Sequence, residues 1–351
     1  MFVAACRSSL FFAVLLFAVP AFAQQNPPAA QPTADRIQLE VVVSPKSGSP
    51  VGGLQQQDFT VLDNNAPRAL TSFRAVAGRE APMRVIVVID AVNAATETVS
   101  FARLQVDKFL HAEGGHLAYP TTLAVLTDKG VQLLGDFSTD GNSLSAALNG
   151  DTIGLRDIGH SAGYYGATER LQMSLQGLNQ LVTAEAPRPG RTVMLWISPG
   201  WPLLSGPNTE LDSKQQQEVF ANIVNVSNEL VRGRVTLYNV NPLGTDESVF
   251  RATYYEEFLK GVSKPSQANL GNLALPVLAV QSGGLAFNSA NDVAKLLQEC
   301  LAQTVPYYEL TFDAPESGQR NEYHHLEIKI AKPGLIARTR QGYYAQPSAH
   351  N

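Results

Sequence analysis

Short, nearly unbroken apolar runs alternate along the middle of this chain with stretches whose apolar residues recur every three to four positions. Residues 84–90 (RVIVVID) form the first run and end in an acid, the profile of a strand covered on both faces. Residues 96–111 follow, with Phe101, Leu104, Phe109 and Leu110 on a rough helical stripe. Residues 121–127 and 131–137, joined by Asp128-Lys129-Gly130, predict a hairpin. Leu171, Leu175, Leu178 and Val182 set out a helix over 167–183. Buried strands are predicted at 192–198 (TVMLWIS) and 235–240 (VTLYNV), with a short one at 285–287 after Gly283-Gly284. Further helices fit 219–231, 273–281 (despite Pro276) and 292–304. This alternation predicts an α/β fold: a mostly parallel, doubly wound sheet with one antiparallel edge hairpin.

The flanks have a different period. Leu39, Val41 and Val43 alternate with more polar neighbours, Phe59 and Val61 lead into the turn formers Asp63-Asn64-Asn65, and Leu70 and Phe73 suit a third strand. After the last helix, residues 308–312, 322–330 and 335–339 also predict strands. Neither flank has enough strands to bury a core by itself. They are therefore expected to pair as one discontinuous β-sandwich, residues 37–79 with 306–346, into which an α/β domain at 80–305 is inserted. Residues 347–351 are left as a tail.

Residues 1–23 carry one charge, Arg7, then an apolar run over 10–19 and Ala21-Phe22-Ala23. That is the layout of a secretory signal peptide cleaved after Ala23. The run stops at Pro20, short of the about 20 apolar residues that span a bilayer. Cys6 has no apolar segment before it to make a lipidation site. Residues 24–36, rich in Pro, Gln and Ala, predict a disordered linker. The expected location is secreted, periplasmic or extracellular, without a membrane anchor after cleavage. The formal net charge is −5, which offers nucleic acid no basic footprint. Cys300 is then the one remaining cysteine, expected as a buried structural thiol.

Some of these segments resemble a known family. The strand ending in Asp90, the hairpin, and Ile197-Ser198-Pro199-Gly200 resemble a von Willebrand factor A domain. Val51-Gly52-Gly53-Leu54, Asp58-Phe59 and Phe73 before it, with Tyr307-Tyr308-Glu309-Leu310 and Arg340-Gln341-Gly342-Tyr343-Tyr344 after it, are similar to the secreted VWFA-related proteins abundant in acidobacteria. The resemblance spans roughly residues 37–345 and implies a fold and a secreted location. It also implies a metal-ion-dependent adhesion site at the carboxyl ends of the parallel strands, where such sheets bind ligands. There, an Asp-x-Ser-x-Ser, a Thr and a second Asp hold Mg²⁺, which wants about six hard oxygens. Asp90 and Thr168 match two of those positions; Val92, Ala94 and Pro199 stand at the other three.

The expected site is therefore a degenerate one, with no metal and no cofactor. Its ligand-binding face comprises Asp90, Asn93, Tyr164, Tyr165, Thr168, Ser198 and Trp201. On one reading, Trp201, Leu203 and Leu204 present a hydrophobic recognition surface; on the other, they fold down and pack. Asp90, for its part, is read either as a ligand or as an acceptor of backbone hydrogen bonds, with Thr168 capping a helix. The function these residues favour is non-enzymatic binding of a protein or cell-surface ligand. Two alternatives stand beside it. One is a metal-dependent adhesin with an altered ion site. The other is a serine hydrolase using Ser161 of Gly159-His160-Ser161-Ala162-Gly163, a G-x-S-x-G pattern. Residues 153–158 are a poor strand, the helix after the pattern is expected only near Ala167, and the histidines that follow are His324, His325 and His350.

Overall fold

The computed structural model describes residues 36–78, 82–150, 163–202, 210–244, 254–288, 290–315 and 319–346. The expected leader lies outside the described residues, as do Ser161, Leu203, Leu204 and His350. In chain order the elements begin with β1 (Arg36–Pro45), β2 (Phe59–Asp63), β3 (Ala66–Arg68) and β4 (Leu70–Val76). Then come β5 (Met83–Asp90), α1 (Thr96–Leu110), β6 (His116–Thr127), β7 (Gly130–Leu133), β8 (Ser138–Asp140), α2 (Gly141–Gly150) and α3 (Gly163–Glu185). These are followed by β9 (Arg191–Ile197), α4 (Ser213–Arg232), β10 (Val235–Val240), α5 (Leu275–Gln281), β11 (Ala286–Phe287) and α6 (Val293–Ala302). The chain closes with β12 (Tyr307–Asp313), β13 (Tyr323–Ile330), β14 (Leu335–Arg338) and β15 (Gly342–Tyr344).

The seven-stranded sheet runs β11-β10-β9-β5-β6-β7, with β8 also on β6. The pairs from β11 to β6 are parallel; β7 and β8 join β6 antiparallel. Its central strands are apolar at nearly every position because both faces are covered. Side chains of a strand alternate between faces, so β5 divides its residues between two cores. Ile86 and Val88 join Met194, Trp196 and Leu237 beneath α3, α4 and α5. Val85, Val87 and Ile89 join Val193, Leu195 and Tyr238 beneath α1, α2 and α6. Gly177 marks how closely α3 lies on the sheet: a Cβ there would stand 2.6 Å from Leu126 Cδ1.

The flanking strands form two four-stranded antiparallel sheets, β14-β1-β12-β4 and β15-β13-β2-β3. Each mixes N- and C-terminal segments. β1 pairs β12 from Arg36 opposite Asp313, and β2 pairs β13 from Phe59 opposite Ile330. The β2–β3 hairpin turns on Asn64 and Asn65, at φ 49° and 66°, a two-residue turn that needs positive φ twice and for which Asn is suited. Both sheets feed one core of Leu39, Val41, Val43, Phe59, Val61, Leu310, Phe312 and Leu326. Tyr308 ties the N-terminal loop to the tail, its hydroxyl donating to Val51 O (3.0 Å) and accepting from Leu54 N (3.1 Å).

Several boundaries differ from the sequence reading. Arg36, placed in the linker on composition, opens β1, where it lies 3.5 Å from Asp313. On α1 the inward stripe is Val99, Ala102, Val106, Phe109 and Leu110, and Leu104 is 69% exposed. The predicted strand 131–137 ends at Leu133; beyond it the chain crosses back to pair β8 with β6. α3 opens at Gly163, four residues sooner than its apolar stripe indicated.

The antiparallel sheets meet the α/β portion at the amino ends of its strands, through one buried and one half-buried arginine. Arg191, 3% exposed at the start of β9, places Nε 2.9 Å from Glu40 Oε2 of β1 and donates through Nη1 to Thr304 O (3.1 Å). Its guanidinium also lies over the Tyr307 ring, 5.0 Å from the centroid. Burial pushes the Glu40 carboxyl up from its ordinary value, against the lowering pull of Arg191. Arg338 of β14 donates to Gly283 O, to Gln303 O (2.6 Å) and to Tyr238 Oη (3.1 Å). Removing one member of a buried pair strands the other charge and costs about 3–5 kcal/mol, whereas removing both is nearly neutral. Arg191→Met should therefore destabilise the protein by that much in urea unfolding, and adding Glu40→Gln should restore most of the loss. A change under about 1 kcal/mol in the single variant would show that the pair does not hold the two parts together.

Candidate functional site

Asp90 ends β5 at the carboxyl edge of the parallel strands and is 1% exposed. Its Oδ1 accepts the backbone N–H groups of Val92 and Asn93, each at 3.0 Å. Its Oδ2 accepts Asn93 Nδ2 at 2.9 Å and Trp196 Nε1 at 3.1 Å. Two oxygens thus carry four donors. The turn this closes sends the chain from β5 towards α1 and buries Val92 at 1% exposure. Asn93, 7% exposed, also donates Nδ2 to Ser174 Oγ at 2.8 Å, and Ser174 Oγ donates to Arg170 O at 2.8 Å. The network therefore links β5, β9 and α3.

Trp201 is 3% exposed and packs edge-on against Trp196, centroids 5.3 Å apart. Of the two readings of that loop, the structure shows Trp201 folded down, because the indole caps the core under α3 and α4. It does not stand as a surface anchor. Ser198 is fully buried: its N–H donates to Val240 O (3.0 Å), its carbonyl accepts Asn239 Nδ2 (3.1 Å), and its hydroxyl accepts Gly200 N (3.2 Å). Gly200 sits at φ 112°, a backbone conformation in which other residues are strained. Tyr165 is 85% exposed near the start of α3. Tyr164 lies beside it on the helix, and its side chain is outside the described residues. Thr168 is half-buried inside α3 and does not cap it, since the helix has already begun at Gly163. The structure so brings Asp90, Asn93 and Trp201 around one spot, leaves Ser198 as a backbone clasp, and puts Tyr165 on the surface.

These residues do not fit a divalent cation. Mg²⁺ needs carboxylate and hydroxyl lone pairs free to face it, and both Asp90 oxygens are turned to N–H donors. Val92 contributes a buried methyl surface and Ala94 no side-chain oxygen. Among the described residues no group of three His, Cys, Asp or Glu could hold a metal.

Sequence reasoning missed Arg170, Ser174 and Trp196. The signal was present in α3: positions 170, 174, 177 and 181 form a second helical stripe beside the leucines, and Arg170, Ser174 and Leu181 on it are buried. Polar residues in a buried stripe mark a network.

The hydrolase reading gains one condition and loses another. α3 begins directly after the G-x-S-x-G pattern, as a nucleophile elbow requires. His324, however, is buried between the antiparallel sheets, Nδ1 2.7 Å from Asp63 Oδ1 and its ring stacked on Tyr343, 4.8 Å between centroids. The Tyr343 hydroxyl donates to Asp63 Oδ2 at 2.9 Å and is pushed well up from its ordinary pKa by burial and that bond. A histidine walled in this way reaches no substrate. His325 is exposed, its backbone N–H donating to Asn64 Oδ1 in the hairpin (2.9 Å). Cys300 is fully buried in α6, and burial raises its thiol pKa far above its ordinary value, leaving it inert.

No protein-family model matches the chain, and no curated protein matches it by sequence. Solved structures share a partial likeness. Proximal thread matrix protein 1 from the mussel byssus has a TM-score of 0.38 at 10% identity, over 69% of this chain and 51% of that one. The PilB minor pilin from Streptococcus sanguinis has a TM-score of 0.40 at 10% identity, over 66% and 62%. The SpRpn10 VWA domain has a TM-score of 0.31 at 10% identity, over 64% and 97%. The chain spans about half the length of the mussel protein. All three scores are below 0.5, and the likenesses carry no argument.

The bonding of Asp90 generates a prediction whose sign discriminates. In Asp90→Asn one oxygen becomes an NH₂ group and faces donors it cannot accept. Leaving buried donors unpaired should cost about 2–4 kcal/mol in urea unfolding. A carboxylate held in wait for a cation would behave oppositely, the neutral amide stabilising the metal-free protein.

Proposed function

We infer that this chain is a von Willebrand A-like binding protein, non-enzymatic and exported, that recognises a protein or cell-surface ligand without a metal. The observation that carries the reading is the bonding of Asp90. Its four internal donors turn the residue that matches a metal ligand into a structural hub. The family-like strand ends are then left to bind by surface chemistry. Tyr165, 85% exposed near the start of α3, is an aromatic side chain on that face, and tyrosine is enriched at binding hot spots. Trp201 supports this face from beneath. Residues 1–23 supply the export signal in this reading, and the chain's mild acidity suits neither nucleic acid nor an anionic membrane.

The test uses the purified, immobilised chain to capture its partner from the secreted fraction, with and without EDTA. Capture should be indifferent to EDTA, and Tyr165→Ala should weaken it about tenfold or more, the loss expected of a hot-spot aromatic. Release of the partner by EDTA would replace this reading with a metal-dependent adhesin. Capture unchanged in Tyr165→Ala would move the binding face elsewhere.

A further inference from the structure

Where α4, α5 and the segment between β14 and β15 meet, the structure leaves a cavity of about 20 Å³ that opens to solvent. Space of that size admits one water-sized occupant. Leu230 and Val231 of α4, Val235 at the start of β10 and Leu278 of α5 form its apolar wall. The polar side chains on the wall are Ser227 of α4, Gln281 at the end of α5, Ser282 after it, and Arg340. None of these is an acid.

Arg340 is the anomaly. It is half-buried, and its guanidinium makes no hydrogen bond or ion pair with another described residue. Burial pulls its pKa down from the ordinary arginine value, while Glu40 pushes it up and Arg191 pulls it down. Glu40 cannot serve it fully, because that carboxylate is already held by Arg191 at 2.9 Å. Glu309, opposite Glu40 on β12, is held by Arg74. Two guanidinium groups therefore share the Glu40 carboxylate, and one positive charge is left over. Arginine stays charged at all working pH values, and burying its charge uncompensated is costly.

The neighbouring groups add donors. Ser282 Oγ is spent within the fold, accepting from Leu237 N (2.9 Å) and donating to Ala279 O (2.8 Å). The Ser227 hydroxyl and the Gln281 side-chain amide have no such bonds among the described residues. A guanidinium, a hydroxyl and an amide thus line one small space from three separate elements, with no carboxylate among them. The charge left over is a single one, and the space suits a single small body. A phosphate or a peptide terminus is too large for it. A spherical ion accepts from any direction, so unlike donors on three elements can serve it together.

We propose that this cavity binds one small monovalent anion, chloride or a similar halide, held by Arg340 with the Ser227 hydroxyl and the Gln281 amide. The ion balances the charge at the junction and fastens α4 and α5 to the segment that leads into β15. The site lies at the amino end of β10, at the opposite end of the sheet from Asp90, and it does not depend on where a protein ligand binds.

The ³⁵Cl NMR line of chloride reports the exchange of the free ion with a protein-bound one. The whole protein should broaden that line. Added bromide should narrow it again by competition, and gluconate at the same ionic strength, too large for the cavity, should not. Arg340→Met keeps the aliphatic stem and removes the charge, and it should abolish the broadening. Ser227→Val removes a donor and puts a methyl group in the space; it should weaken chloride binding about fivefold or more, as for the loss of one hydrogen bond. This second variant decides the matter should Arg340→Met fail to fold. In urea unfolding at constant ionic strength, replacing gluconate by chloride should raise the midpoint of the unsubstituted protein, since a ligand bound only by the folded state stabilises it. No protein-dependent broadening, narrowing by gluconate equal to that by bromide, or broadening that survives both substitutions would overturn the proposal.

Discussion

Asp90 places both carboxyl oxygens where only 1% of its surface is exposed, and the rest of the strand-end architecture follows from how those oxygens are hydrogen-bonded. A buried carboxylate is tolerated when hydrogen bonds replace its water. Here the replacements come from its own following turn and from the neighbouring strand, through Val92, Asn93 and Trp196. The two backbone bonds fix the exit from β5, which sends Val92 into the core. The Trp196 bond fixes an indole in the sheet, and that ring is the floor on which Trp201 packs. The Asn93 bond reaches Ser174 and so sets the height of α3. A divalent cation at the same carboxylate would have to displace at least one of these donors and unfasten an element with it.

The opposite end of the sheet has its own constraint. Insertion of an α/β unit between β4 and β12 requires the flanking strands to find each other across the chain, from β1 to β12 and from β2 to β13. Arg191 and Glu40 tie that antiparallel pair of sheets to the start of β9. Gly283, at φ 91°, lets the chain pass under the tail: a Cβ there would meet Arg340 N and Thr339 C at 2.9 Å. One end of the α/β portion is therefore closed by its flanks.

The fold was legible where burial is two-sided or alternating. The 84–90, 192–198 and 235–240 runs could hardly be anything but covered strands, and the Asn64-Asn65 turn declared its hairpin. The shortage of strands in each flank was enough to expect their union. Legibility failed where tertiary contacts override local pattern. Leu104 sits on a helical stripe yet points to solvent, since Val99, Ala102 and Val106 already face the core. In the site, Val92, Ala94 and Pro199 at three positions of the resembled motif led to the expectation of a degenerate metal position. What the chain does with Asp90 was open, because a carboxylate that ligates and one that accepts N–H groups look alike in sequence. Its partner Trp196 is 106 residues away, and no local spacing reports such a bond. Arg170 was hidden for a related reason: a charge next to Leu171 looks like the edge of a solvated helix face until its helix neighbours are seen to be buried.

The central claim is that Asp90 is compensated by N–H donors and has no lone pair to offer a cation. Calorimetric titration of the purified chain with Mg²⁺, Mn²⁺ and Ca²⁺ addresses it most directly. No saturable binding is predicted at millimolar concentrations for any of the three. A dissociation constant below about 1 mM, equivalent to roughly 4 kcal/mol of binding, that disappears in Asp90→Ala would contradict the account.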